Sequence, residues 1–419
     1  MLQMINQPTN GQLGTILQNK LSEETYNYFV IVSAFAKNSG VLRMKKHIQA
    51  FREIGGKVDA FIGIDAHGTS YEALCNLLPI IDNLYIIHDN NPAITFHSKV
   101  YYLTDQKTSD WIAIGSNNLT GGGLWTNHEC ATIVEENGIK GAVTNDCLST
   151  FRKQIEMYKS GSSKLSLKIN DITDLDILLD ADLIRHEIRL QIDAAKARQA
   201  GSKITDNTTI DSFGFGKVSI PRLNNEVKGE KVTISDRSVQ ITSTEPIEPS
   251  DDSEKMWFET RAMTGGSRNI LDLSMLGSVI KGSGKGTRYD TNRDDVVLGS
   301  VAFFDIDPTN TTVEKDITIN YKADDYCGCT IKMHLSGANP NGSWRIQLKG
   351  ETASGDRLTF AGNGDWLVHK VIVLEKIRTD YYVMSVLAES ELDKLKAQSI
   401  FVACNGNSPN SKQYGLLDI

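Results

Sequence analysis

An imidazole and an ammonium two residues apart, His97 and Lys99, stand in the β-favouring run Phe96-His97-Ser98-Lys99-Val100-Tyr101-Tyr102-Leu103. On a strand, residues i and i+2 leave the same face, so both groups would line one pocket wall. Residues 110 to 116 read as a second apolar strand that ends in Gly115-Ser116-Asn117-Asn118. Ser116 and Asn118 have like parity, which can aim a hydroxyl and an amide at one point. Glu129 opens a third extended run that continues to Val134. A nucleophile, a cation, neutral donors and an orienting carboxylate are the parts that phosphoryl transfer without a metal needs. Singly, each has a plainer reading: a structural histidine, an edge-strand lysine, a turn at Gly-Ser-Asn-Asn, a solvated glutamate. Five of them in this order at these spacings favour catalysis.

The set resembles the phospholipase D superfamily, whose signature is His-x-Lys, four residues, Asp, then six residues and Gly-Ser-x-Asn. His97, Lys99, Gly115, Ser116 and Asn118 match it, with Glu129 at the spacing of the superfamily's nucleases. Thr104 stands where the aspartate belongs, with Asp105 and Asp110 later, so no aspartate role is carried over. Restriction-type nucleases of the superfamily also lack a strict aspartate there. Ala34-Phe35-Ala36-Lys37-Asn38-Ser39-Gly40 and Gly63-Ile64-Asp65-Ala66-His67-Gly68-Thr69-Ser70 further resemble the nuclease domain of NgoFVII-type restriction endonucleases, over roughly residues 20 to 160. Asp65 and His67 are secondary candidates for substrate contact, although helix-entry turns use the same residue types.

The resemblance implies two His-x-Lys units: one histidine attacks phosphorus, and the other protonates the leaving oxygen and later serves as base. Of the eight histidines only His97 is followed two residues on by lysine. A symmetric homodimer that pools two His97 side chains is therefore expected. Lys99 and Asn118 would neutralise the developing charge, Ser116 would add a hydrogen bond, and Glu129 would orient an imidazole; no metal is required.

With 419 residues, 40% hydrophobic and 23% charged, the chain can bury two cores. No apolar run approaches a membrane span, and the N-terminus lacks the pattern of a signal peptide, so no membrane association and a cytoplasmic location are expected. The six cysteines (75, 130, 147, 327, 329 and 404) are scattered and lack the spacing of a zinc knuckle. A net charge of −8 excludes indiscriminate coating of nucleic acid, so any DNA-binding cations must be concentrated locally.

Elements follow in the order helix (12 to 27), buried strand (28 to 35), helix (39 to 54), strand (57 to 64), helix with Thr69 and Glu72 at capping-box spacing, strand (84 to 88), the three site strands, and a helix at 145 to 158. This predicts an α/β phospholipase D-like nuclease domain, a mixed sheet flanked by helices, over residues 1–165. Residues 166–255 read as a helical segment and linker, with an amphipathic stretch at 171 to 200 suited to dimerisation or to packing on the nuclease domain, and a hairpin near 232 to 241. Its acidic end, at 251, 252 and 254, could cover a cationic groove until DNA displaces it.

Residues 256–419 are strand-dominated, with strands near 258, 297 to 304, 315 to 321, 329 to 335, 343 to 349, 357 to 361, 366 to 375 and 381 to 386, then a helix at 390 to 397. Pattern and domain order resemble the effector domain of the same enzymes, a C-terminal β-rich pseudobarrel like the plant B-three DNA-recognition domain. That resemblance places double-stranded DNA against Arg261, Arg268, Asn269, Lys281, Lys285 and Arg288, and against Trp344, Arg345, Gln347, Lys349 and Arg357. Relatives of this type imply a companion methyltransferase and, in some cases, an ATP-dependent helicase-like subunit; the chain carries no recognisable phosphate loop of its own. The alternatives are a lipid or other phosphodiesterase, or a non-catalytic DNA-binding assembly protein.

Overall fold

The computed structural model describes residues 1–91, 93–137, 142–161, 164–201, 254–263, 265–334, 342–405 and 411–418. The expected hairpin at 232 to 241 and the acids at 251 and 252 lie outside the described residues. The described residues up to Leu190 form one compact unit, and those from Gln191 onward form a second.

The first unit opens with β1 (Leu2–Gln7), α1 (Leu13–Leu21), β2 (Tyr28–Ser33), α2 (Asn38–Glu53), β3 (Lys57–Gly63), α3 (Tyr71–Leu77) and β4 (Asn83–Ile87). It continues through β5 (Lys99–Thr104), β6 (Ser109–Gly115), β7 (Glu129–Asn137), α4 (Ala142–Lys159), β8 (Ser166–Ile169), α5 (Ile172–Asp180) and the start of α6 (Glu187–Gly201). The strands form one sheet in the order β1-β7-β6-β5-β2-β3-β4-β8, in which β2, β3 and β4 run parallel and the other pairings are antiparallel. The unbroken apolar run of β2 fits its central place, buried on both faces. In α2, Val41, Met44, Ile48 and Phe51 repeat at helical spacing and are all fully buried. The helix stops at Gly55, whose φ of +93° suits glycine.

Two buried carboxylates fasten α4 to one face of the sheet. Asp110 accepts from Tyr102 Oη at 2.6 Å and Arg152 Nη2 at 2.9 Å. Asp59 accepts from Tyr28 Oη at 2.6 Å and Asn83 Nδ2 at 2.7 Å and pairs with Lys159 Nζ at 2.8 Å. Between these clamps, Leu148 and Ile155 of α4 close a core over Val30, Val32, Tyr102 and Ile112.

Three expectations change here. The cap of α3 is Ser70, whose Oγ accepts from Ala73 N at 3.3 Å; Thr69 instead donates to Gly63 O at 2.5 Å. The stretch expected to be helical from 171 to 200 breaks at residues 181–186, with Asp182 left-handed at φ 55°. Residues 166–190 group with the first unit rather than with a linker: β8 pairs with β4, α5 packs on α3, and Tyr71 Oη donates to Asp176 at 2.5 Å.

The second unit contains β9 (Lys255–Glu259), β10 (Ile270–Leu273), β11 (Leu276–Gly282), β12 (Val296–Leu298), β13 (Glu314–Tyr321), β14 (Asp324–Met333), β15 (Trp344–Gln347), β16 (Lys370–Arg378), β17 (Tyr381–Ala388), α7 (Leu392–Ala397), β18 (Ser399–Cys404) and β19 (Gln413–Leu417). Its sheet runs β10-β15-β14-β13-β17-β16-β9-β19-β18-β11-β12, and among the described residues no ladder joins the end strands β10 and β12. Of the strand expected at 297 to 304 only the start is strand, in β12, and Ser300–Phe304 form a 3₁₀ helix; the run expected at 357 to 361 holds a 3₁₀ turn at Leu358–Phe360. Val301, Phe303, Phe304 and Leu358 drop into the core, a burial that a short apolar run cannot distinguish from a strand. Among the described residues no helix is long and apolar enough to cross a membrane.

Burial alone would raise the Asp59 carboxyl, but Lys159, Tyr28 and Asn83 outweigh it and hold the group below the ordinary carboxylate range. A depressed folded-state value contributes stability that is complete above the unfolded value, about 3.9, and is lost as pH falls through the folded one. Asp59→Ala is expected to cost about 2 to 4 kcal/mol in urea unfolding at pH 7 by leaving Lys159 uncompensated, and to flatten the acid limb of the stability profile.

Candidate active site

Sheet register brings five strand termini to one edge. Ser33 at the end of β2 faces Lys99, Val100 faces Ile114, Gly115 at the end of β6 faces Ala131, and Gln7 at the end of β1 faces Glu129. His97, Lys99, Ser116, Asn118 and Glu129 all belong to this edge.

β5 starts at Lys99, so His97 lies just before the strand rather than on it. Its ring is exposed and packs edge-on against Phe35, with centroids 6.0 Å apart. Asp65 fixes the segment from behind: Oδ2 accepts from the Phe96 N–H at 2.6 Å, and Oδ1 lies 2.5 Å from His88 Nδ1. Asp65 is 6% exposed, so it serves as scaffold rather than as a substrate contact. Ala66 and His67 follow, both left-handed at φ 52°, a strained pair for non-glycine residues. Gly68 lets the Phe35 ring seat there, because a Cβ would lie 1.9 Å from it.

Lys99 is 4% exposed and donates to the carbonyl of His97 at 2.7 Å, closing a tight loop between the two residues. Burial pushes its ammonium below the ordinary lysine range, and the Glu129 carboxylate only partly offsets this. A buried ammonium next to an exposed imidazole can attract an anion, because a low local dielectric strengthens the charge's pull.

Asn118 is half-buried, and its Oδ1 accepts from the Phe35 N–H at 3.2 Å. The oxygen is thereby committed, which leaves Nδ2 as donor. Ser116 donates its hydroxyl proton to Glu129 Oε2 and accepts from the Cys130 N–H at 3.0 Å. It can therefore donate to a substrate only by releasing Glu129. Glu129 Oε1 accepts from Asn127 Nδ2 at 3.2 Å, and Glu129 does not reach His97 of its own chain. Asp105 caps its turn through the N–H groups of Lys107, Thr108 and Ser109, and Asp110 is spent on α4, so neither supplies the missing signature aspartate. Among the described residues no trio of His, Cys, Asp or Glu comes together as a metal site.

In the second unit most of the expected DNA-reading cations are occupied. Arg261 pairs with Glu259 at 2.8 Å, Arg288 with Glu254 at 2.6 Å and Asp305 at 3.0 Å, Arg345 with Asp272 at 3.5 Å, and Arg357 with Glu351 at 2.8 Å. Lys281 donates to the carbonyl of Lys396 at 2.9 Å. Glu254, expected to screen a catalytic groove, is instead the partner of Arg288. Trp344 is fully buried and cannot meet DNA, a correction that follows from its inward parity on β15. Arg268, Lys285 and Lys349 are exposed. Arg268 and Lys349 flank one end of the β10–β15 pair, where Ile270 faces Gln347 and the carbonyl of Asn269 accepts from Leu348 N at 2.8 Å.

No family model and no curated protein matches the chain. Among solved structures, the phospholipase D family member Nuc of Salmonella typhimurium is 16% identical, with a TM-score of 0.30 over 41% of this chain and 99% of its own. NucT of Helicobacter pylori is 12% identical, with a TM-score of 0.29 over 37% of this chain and 96% of its own. Phosphatidylserine synthase of Haemophilus influenzae is 12% identical, with a TM-score of 0.32 over 49% of this chain and 47% of its own. At this level of likeness the assignment is left to the side chains.

Because Glu129 raises the Lys99 ammonium against the lowering by burial, Glu129→Gln is expected to lower it further. Carbon-detected NMR of the lysine side chain, followed from pH 7 to 11, checks this: the Lys99 transition should lie below the model-compound value of about 10.4 and move down again in the variant.

Proposed function

We propose that the chain is a sequence-specific restriction endonuclease that hydrolyses DNA phosphodiesters through a phosphohistidine, at one site shared by two identical subunits. The observation that carries this reading is the convergence at one sheet edge of an exposed imidazole, a buried ammonium and a carboxamide whose oxygen is held by the backbone, His97, Lys99 and Asn118. The neutral imidazole of one His97 attacks phosphorus and forms the N–P bond. The strand's leaving oxygen departs with the P–O electron pair and takes a proton from the partner's imidazolium. That second imidazole, now neutral, deprotonates a water that attacks phosphorus and releases the first histidine. Lys99 and the Nδ2 of Asn118 hold the extra negative charge on the non-bridging oxygens. Ser116 and Glu129 form a bonded pair at the rim, and Glu129, which makes no bond to its own chain's His97, would orient the imidazole of the second subunit.

One His-x-Lys unit per chain supports the dimer, and a single pooled centre would cut the two strands in sequence. The second unit would read a short target, with Arg268, Asn269, Gln347 and Lys349 the leading contacts and Lys285 an additional phosphate contact. Residues Arg261, Arg288, Arg345 and Arg357 would act mainly by holding the fold. Such a protein would be cytoplasmic and work beside a methyltransferase, with ATP needed only if a helicase-like partner translocates the DNA.

Incubation of the purified protein with a mapped plasmid in EDTA should yield discrete fragments. His97→Ala should abolish cleavage, by at least about 10³-fold, while DNA retention in a gel-shift assay is unchanged. Hydrolysis of phospholipid vesicles with intact plasmid, or cleavage that survives His97→Ala, would put the chemistry elsewhere.

A further inference from the structure

Gln7 ends β1 at the catalytic edge, is 2% exposed, and stands opposite Glu129 in the ladder. Its Nε2 donates to the carbonyls of Asn127 at 3.1 Å and Gly123 at 3.2 Å, with that of Gly122 at 3.3 Å sharing the same hydrogens. Its Oε1 accepts from the Leu13 N–H at 3.2 Å and from Asn117 Nδ2 at 3.4 Å. Both hydrogens and the acceptor of this one amide are therefore in use, over sequence separations of 110 to 120 residues for the distant partners. Strand pairing alone asks for none of this, since it uses only the backbone of residue 7.

The partners are the two arms that carry the site. Asn117, 1% exposed, lies between Ser116 and Asn118, and also donates to Gly123 O at 2.8 Å. Asn127 holds Glu129 Oε1 through its own side chain. The loop between the arms is anchored by the buried Leu124 and Trp125, but its glycines pass close to both arms. A Cβ at Gly123 would lie 2.5 Å from the carbonyl oxygen of Asn118, and one at Gly122 would lie 2.7 Å from Asn127 Oδ1. Glycines thread the loop tightly past both arms, and the carbonyls of two of them turn to Gln7.

We infer that Gln7 is a positioning residue, a single buried carboxamide that sets the spacing between the Ser116–Asn118 arm and the Asn127–Glu129 arm and so makes the N-terminal strand part of the catalytic apparatus. The inference rests on the phosphodiesterase reading for its effect on rate, and on the hydrogen bonds alone for its effect on the loop. Without the amide, the carbonyl of Asn127 and the Leu13 N–H lose these partners, the carbonyls of Gly122 and Gly123 keep only the Asn127 N–H and Asn117 Nδ2, and the tie between the two arms is gone. Displacements of about 1 Å in such a constellation lower turnover about 10- to 100-fold.

The experiment compares Gln7→Met, similar in length but unable to make these bonds, with Ile5→Ala, which removes core packing from the same strand without touching either arm. Hydrolysis of bis(p-nitrophenyl) phosphate is measured well below both melting temperatures, together with amide hydrogen exchange across the chain. Gln7→Met should lose kcat about 10- to 100-fold with KM nearly unchanged. Exchange in that variant should quicken selectively over residues 116–129. Ile5→Ala should keep kcat within about threefold at an equal or larger loss of melting temperature. Equal effects of the two variants on kcat, or exchange that does not single out 116–129, would overturn the inference. Should Gln7→Met not fold, Gln7→Glu replaces it. Its carboxyl regains one donor when protonated, so loop protection should recover as the pH is lowered, and pH-independent protection would count against the assignment. A wild-type chain without diesterase activity would contradict the proposed function, while the exchange comparison would still decide the role of Gln7.

Discussion

A short ladder between residues 33–37 and 117–119 is the constraint on which the candidate site depends. The Phe35 N–H binds Asn118 Oδ1, the Leu119 N–H binds Phe35 O and Ser33 Oγ, and the Lys37 N–H binds Leu119 O. One consequence is chemical: the oxygen of the Asn118 carboxamide is taken by the backbone, which leaves Nδ2 as its donor. Another is steric, because the same backbone places the Phe35 ring between Gly68 and His97. The ladder needs Gly40 beneath it, where a Cβ would come within 2.6 Å of the Leu119 and Thr120 backbone. A helix start, a strand end and a glycine-rich loop are thereby tied into one rigid rim.

Charge follows from that geometry. A chain of net charge −8 cannot attract a polyanion by its overall field, so a cation has to be presented locally. Lys99 is such a cation, held in a buried position and tied to the carbonyl of His97, and the nearby carboxylate of Glu129 is engaged with Ser116 and Asn127 instead of neutralising it outright. The buried acids Asp59, Asp65 and Asp110 have been drawn into the scaffold, where they fasten α4 and the segment before His97.

Much of the first unit was legible from its residues. The apolar run of β2, the α2 periodicity ending at Gly55, and the His97, Lys99, Ser116, Asn118 spacing are local signals, and local signals survive in a single sequence. What was missed is long-range and polar. Nothing near Gln7 announces partners more than a hundred residues away, and Asp65 has the local context of any helix-entry aspartate, whereas its partner is the Phe96 N–H thirty-one residues on. The arginines of the second unit misled for the same reason: Arg288 reads as free beside Lys285 and Gly286, whereas Glu254 and Asp305 close on it from distant parts of the fold. The 3₁₀ turn at Ser300–Phe304 was mistaken for a strand because its residues are buried by tertiary packing, which overrides period.

The central claim is that two chains each lend one imidazole to a single centre. It is tested most directly by a heterodimer of one wild-type and one His97→Ala chain, isolated through two different affinity tags and assayed for DNA cleavage. The shared centre requires the mixed dimer to be as inactive in complete hydrolysis as the double variant. Half of the wild-type rate, or a wild-type protein that cleaves as a monomer, would contradict it.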